Sequence, residues 1–230
     1  MGKIRKVSLT IGVLIILSIC VGIMSIVPSV DVPDYLSEAY PNSIQVLIAA
    51  LSQVVMSLIY VAISVLLFVV IKKYDESSAF GYLCLRTISQ VFNLLGTLTI
   101  VLLLALSREY METDSTNSAS IKILGILLKS GRDYLNHVLM IVLTSISGII
   151  LFILTLRTKL IPEWLSVFGL IGSVVSIFAS LLVLFQIIDV ITPIYVMLNL
   201  PLLIQDLIFA IWLMTKGFSE STNHFDPAKA

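Results

Sequence analysis

Long apolar runs, broken at a few points by prolines and clustered charges, set the pattern of this chain. A helix needs roughly 20 apolar residues to cross the hydrocarbon core of a bilayer. Six runs reach that length, at about 7–27, 43–71, 79–106, 133–156, 164–187 and 194–215. Between the first two, Pro28, Pro33 and Pro41 with Asp31, Asp34 and Glu38 predict a loop. The second run exceeds a minimal span before Lys72-Lys73 stops it, which predicts tilt or an exposed end turn. After the third, Ser107 to Ser120 is polar. Ile121 to Arg132 is apolar with interspersed bases and too short to span, so it predicts an interfacial amphipathic segment or an overhanging turn of the fourth helix. Residues 107–132 thus form the one long outer loop, and a polar cytoplasmic tail fills 218–230.

The predicted fold class is all-α, a single domain made of a polytopic membrane bundle of six transmembrane helices. Composition agrees: 58% of the 230 residues are hydrophobic and only 12% charged, about half the charged share of a soluble domain. That excludes a soluble globular enzyme, a disordered chain and a basic nucleic-acid binder. Lys3, Arg5 and Lys6 before the first run resemble the start of a signal peptide. The run is too long for that, and no small-residue cleavage site ends it, so it reads as a retained helix.

Basic residues orient the bundle. With the N-terminus inside, Lys3, Arg5, Lys6, Lys72, Lys73, Arg157, Lys159, Lys216 and Lys229 are cytoplasmic. Arg108, Lys122, Lys129 and Arg132 lie outside, all in one loop, so both termini are placed inside.

Two charges remain within the spans, Arg86 and Asp206. Each lies roughly 10–15 Å from the cytoplasmic end of its helix at 1.5 Å per residue. An unpaired charge in hydrocarbon costs several kcal/mol, so opposite signs at matching depth point to an ion pair, structural or lining a cavity. Arg86 snorkelling to head groups is the alternative. Arg86, Gln90, Asn93 and Thr97 share one helical face, as do Asn199 and Asp206. Such a stripe either lines a polar interior or supplies helix–helix hydrogen bonds. His137, near the outer end of the fourth run, is a hydrogen-bonded interfacial residue or a relay or ligand group. The candidate binding residues are therefore Arg86, Gln90, Asn93, Asp206, Asn199 and His137. Cys20, Cys84 and two histidines in no ligand spacing suggest no metal or cofactor.

Leu85-Arg86-Thr87-Ile88-Ser89-Gln90 resembles a stretch of an uncharacterised bacterial membrane family, domain of unknown function 4386. Gly148, Arg157, Lys159, Ile161-Pro162-Glu163-Trp164-Leu165, Gly169 and Gly172 are similar to its helix four to five junction. Asp206, Ile211-Trp212-Leu213-Met214 and Lys216-Gly217 are similar to its last helix, where the family acid is usually Glu. The resemblance implies six helices in a bacterial inner membrane and adds weight to Arg86 and Asp206, but implies no reaction. Three functions follow as expectations. The first is binding or transport of a small amphiphile or ion at the polar site. The second is a sensor, immunity-type or partner protein acting through the outer loop. The third is a lipid-modifying enzyme using Asp206 or His137 as base. Membrane lipids, a small amphiphile or a protein are the partners these imply; nucleic acid is not.

Overall fold

The computed structural model describes residues 2–112, 118–190 and 192–219, with no side-chain description for Lys3 and Ser118. The tail expected beyond Phe218, with His224 and Lys229, lies outside the described residues from position 220. The chain is all-α. In order come α1 (Lys3–Met24), the short α2 (Pro28–Asp31) and α3 (Tyr35–Glu38), α4 (Ser43–Ile71), α5 (Glu76–Glu112) and α6 (Ser118–Asp133). A π-helical turn (Tyr134–Leu139) leads into α7 (Met140–Thr158), followed by α8 (Glu163–Leu184) and α9 (Pro193–Thr215). Six helices are long and apolar enough to cross a bilayer, and α6, the π turn and α7 together make the fourth. The protein is a polytopic membrane helical bundle.

One segment differs from the pattern of the sequence, and a second takes one of the two forms it offered. The third helix does not end near Leu106; α5 continues to Glu112. Its polar extension is held by tertiary contact: the buried Ser107 hydroxyl donates to the Leu36 carbonyl (2.6 Å) and accepts from the Tyr40 N–H (2.9 Å). That ties the Pro28–Asn42 segment, with its two helical turns, onto α5. Residues 121–132 are not a separate segment either. They run as α6 straight into the spanning α7, the overhanging alternative, while still exposing Ile123, Leu124, Ile126 and Leu127.

Each spanning helix packs on its chain neighbours, α1 on α4, α4 on α5, α5 on α7, α7 on α8 and α8 on α9, and α9 returns to α1. The six form a closed ring. Close approach comes from small residues. On α8, Ser166, Gly169, Ser173, Ser176 and Ser180 are buried along one face, the composition that lets membrane helices approach without a large side chain between them. Gly12 brings α1 onto the Ala210 carbonyl and Met214 of α9.

A latch secures the ring at the end where the described termini meet. The last carbonyls of a helix have no partner inside it. Arg5 supplies one for α9, donating to the carbonyls of Leu213 (2.9 Å), Met214 (2.6 Å) and Thr215 (2.9 Å). A cation there also suits the negative end of the helix dipole. Gly217, at φ 79°, then turns the chain away in the left-handed region that glycine adopts readily, and Phe218 N–H donates to the Ser8 hydroxyl (3.2 Å). This is the termini end; α2, α3 and α6 mark the opposite, loop end.

Candidate functional site

The ring encloses two separate spaces. Nearer the termini end is a small cavity of about 50 Å³, room for a few waters. All six spanning helices reach it, and Arg86 of α5 and Asp206 of α9 both line it. They share the cavity without forming an ion pair, since no nitrogen–oxygen contact within 4.0 Å joins them. Arg86 instead lies over the Tyr60 ring, its guanidinium carbon 4.8 Å from the centroid, an electrostatic contact that strengthens away from water. Its Nε is buried with no hydrogen-bond partner.

Towards the loop end lies a larger cleft of about 630 Å³. Its polar floor comes from Gln53 on α4, Asn93 on α5, Asn136 and His137 in the π turn, and Asn199 on α9. Its sides are apolar. Ile26, just beyond α1, and Val196, Leu200 and Leu203 on α9 line it and are themselves exposed on the bundle surface. The cleft therefore opens sideways between two neighbours of the ring, on the helical surface that bilayer chains would cover.

The floor is a fixed network. The Asn93 side-chain N–H donates to the Ser57 hydroxyl (2.8 Å), and the Thr97 hydroxyl donates to Gln53 Oε1 (2.8 Å). The Asn199 amide donates to the Tyr195 carbonyl (3.0 Å), and His137 Nδ1 lies 3.1 Å from the Tyr195 hydroxyl with the two rings edge to face. The π turn leaves carbonyls off the regular α-helical ladder; the His137 carbonyl accepts a bond from the Ser180 hydroxyl (2.9 Å). Asn136 packs directly on Gly96, where any Cβ would collide with its side-chain amide, so glycine is required there for a close approach. Asn136 Oδ1 is buried without a hydrogen-bond partner.

One more group closes the loop end of the cleft. Arg132 is buried and bridges two helices' worth of sequence. Its Nη2 donates to Asp31 Oδ1 (2.7 Å) and to Asp133 Oδ1 (2.7 Å), and its Nε reaches the same Asp133 oxygen (2.9 Å). Asp31 and Arg132 both line the cleft.

Of the six residues singled out by sequence, the structure brings Arg86 and Asp206 to the small cavity, and Asn93, Asn199 and His137 to the cleft. Gln90 is buried between Arg86 and Asn93 along α5 and lines neither space. Its Nε2 donates to the Ser89 hydroxyl (3.1 Å) and its Oε1 has no partner. The single polar line thus divides by depth, because the seven residues from Arg86 to Asn93 rise roughly 10 Å along the helix. His137 and Asp206, the two candidate bases, lie in different spaces. Sequence reasoning missed the role of Arg132, Asp31 and Tyr195. The only local signal was Arg132-Asp133 at the edge of an apolar run.

The sequence profile of the family described as domain of unknown function (DUF4386) matches residues 9–217. The chain belongs to this family. The DUF4386 match takes in both spaces whole, from Ile15 to Phe209 in the cavity and from Ser25 to Leu203 in the cleft. No curated protein and no solved structure matches the chain.

Proposed function

We propose that this DUF4386 protein sits in a bacterial plasma membrane with both termini cytoplasmic and binds or moves a small amphiphile through its lateral cleft. The orientation rests on the excess of basic residues at the termini end. The amphiphile reading is carried by one observation: a single cleft pairs exposed apolar walls, at Ile26 just beyond α1 and along α9, with a floor of amide and imidazole groups. A volume of about 630 Å³ lies in the usual range for small-molecule pockets, roughly 300–1,000 Å³. A chain lying against Val196, Leu200 and Leu203 would place its polar head at His137, Asn199 and Asp31. The floor gives a bound head hydrogen bonds that hydrocarbon cannot offer, and the molecule would enter from the surrounding lipid without crossing water.

Native mass spectrometry tests the reading. Protein released in a mild detergent is expected to carry adducts of amphiphile mass. Leu203→Trp, which sets an indole into the wall of the cleft, is expected to lose them. Wild type without adducts, or a variant that keeps them, refutes it.

A further inference from the structure

The helices of the ring stop at two different heights towards the loop end. Three neighbours, α8, α9 and α1, stop together. Ser180, near the end of α8, bonds the His137 carbonyl, and His137 meets Tyr195 at the start of α9. The Ser25 carbonyl, just past α1, accepts from the Gln53 amide (3.4 Å). Gln53 accepts in turn from Thr97, next to Gly96, which packs on Asn136. The other half of the ring goes on from this height. α4 starts at Ser43, ten residues before Gln53, α5 continues to Glu112 and α6 begins at Ser118. Gly125 of α6 packs on Tyr35 and Leu36, and Leu36 is held by Ser107 of α5, so the extensions stand side by side. Ten residues of helix rise roughly 15 Å.

Helix lengths show the same step. α1, α8 and α9 have 22, 22 and 23 residues, close to what a hydrocarbon core of roughly 30 Å requires. α4 has 29 residues and α5 has 37. The projecting part is apolar on its surface: Ile44, Leu47 and Ile48 of α4 and Ile123, Leu124 and Leu127 of α6 are exposed. The α4 residues prolong the exposed face of Leu51, Val55 and Leu58, and α4 carries no charged residue from Ser43 to Ile71. Nothing on α4 marks the place where a bilayer of ordinary thickness would end. Tyrosines and basic side chains, which gather at the membrane–water interface, stand farther out. Arg108 lies over the Tyr40 ring and Lys122 over the Tyr110 ring, each 5.8 Å from the centroid. The segment beyond α1 is instead polar on its surface at Asp34 and Glu38, and the turn between α8 and α9 exposes Gln186 and Asp189.

We propose that lipid chains cover the projection, so that the bilayer is thicker along α4, α5 and α6 than along α8, α9 and α1. A bilayer meets a long span by thickening around it or by letting it tilt. The unbroken α4 face favours lipid over a protein partner, since the projection continues a surface that already faces the membrane. The cleft opens on the thin side: Ile26 and Val196 at its mouth lie just past the end of α1 and near the start of α9. A head group at its floor is therefore close to the membrane surface. The step goes beyond the amphiphile reading and holds whether or not the cleft is occupied.

Wild-type protein in liposomes tests it without substitution. It is photolysed in turn with a phospholipid carrying a diazirine in one chain and with a water-soluble diazirine present on both sides, and labels are mapped by mass spectrometry. Residues 55–58 of α4 serve as the standard for a lipid-facing surface and residues 34–38 for a wet one. The ratio of lipid-borne to water-borne label at 44–48 and 123–127 is expected to match 55–58 and to exceed that at 34–38 by about tenfold or more, the ratio that transfer of one leucine-sized side chain into hydrocarbon supplies. Labelling of 44–48 and 123–127 chiefly from water overturns the proposal and stands the projection in solvent. Labelling from neither side overturns it as well and makes the projection a protein interface. Neither result touches the amphiphile reading, which the adduct experiment decides separately.

Discussion

Replacing Arg132 by Met tests whether the charged cluster holds the loop end of the bundle. The guanidinium makes three short bonds to two carboxylates and is itself almost fully covered. Removing one partner of a buried ion pair typically costs roughly 3–5 kcal/mol, because the other charge is stranded. Here two charges are stranded, but each keeps between a fifth and a third of its surface, so water recovers part of the loss. The expected cost is roughly 2–4 kcal/mol. At about 2–4 °C per kcal/mol for a chain of this size, Tm falls by roughly 5–15 °C. Thermal unfolding in detergent, followed by circular dichroism, reads it. The reasoning also dictates the sign of a second measurement. If stranded charge is the main cost, Arg132→Met with Asp31→Asn is more stable than Arg132→Met alone. A single variant within about 2 °C of wild type, below the smallest shift the estimate allows, or a double variant that adds a further loss, refutes the assignment.

Two further outcomes follow from geometry and charge. A phosphatase reporter fused after Lys73 is expected to be inactive and one inserted in the turn at Asp189 active; the reverse pattern would overturn the orientation read from the basic residues. At the start of α5, the Ser78 backbone N–H (3.0 Å) and then its hydroxyl (2.7 Å) donate to the Asp75 carboxylate and hold its pKa below the ordinary 3.8. A depressed pKa in the folded state stabilises at neutral pH, and the contribution disappears as pH falls through 3.8 and below. Asp75→Ala is expected to weaken the first turn of α5 by less than about 1 kcal/mol at pH 7, since the site faces water, and to change little at strongly acidic pH. Amide exchange at Ser78 and Ala79 measures this, and equal protection in variant and wild type at pH 7 refutes it.

The spans were legible because hydrocarbon permits so few alternatives: a run such as Ser43–Ile71 has no other stable place to go. The stripe from Arg86 through Asn93 was legible for the same kind of reason, since helical spacing alone puts these residues on one face. Its partition between two spaces was not, because depth along an axis becomes a boundary only through the packing of the neighbouring helices, which the spacing on one helix does not specify. The end of α5 was misplaced because Ser107, Glu109 and Glu112 have the composition of a loop. What keeps them helical is a bond from Ser107 to Leu36, 71 positions away. Arg132 shows the same limit more sharply. Its burial depends on Asp31, 101 positions upstream, and composition near either residue says only that the segment is polar. The side chains that define the cleft's chemistry were thus visible by type, while their company was not.

The latch between Arg5 and α9 has a consequence for how the protein is made. Arg5 emerges from the ribosome long before its first acceptor, Leu213, which lies 208 positions later. At a synthesis rate of about 5–20 residues per second, roughly 10–40 s separate the two. Throughout that interval the growing chain is an open arc: Gln53 and Asn93 can already bond Thr97 and Ser57 between α4 and α5, but the cleft and the small cavity both lack the wall that α9 supplies. Only α9 can seal the ring, so a ribosome that stops before it leaves a product with an uncovered cleft and a free edge on α1. Quality control has a simple criterion for such a chain, and the same terminal step makes late insertion of α9 the point at which synthesis either yields a finished protein or a substrate for degradation.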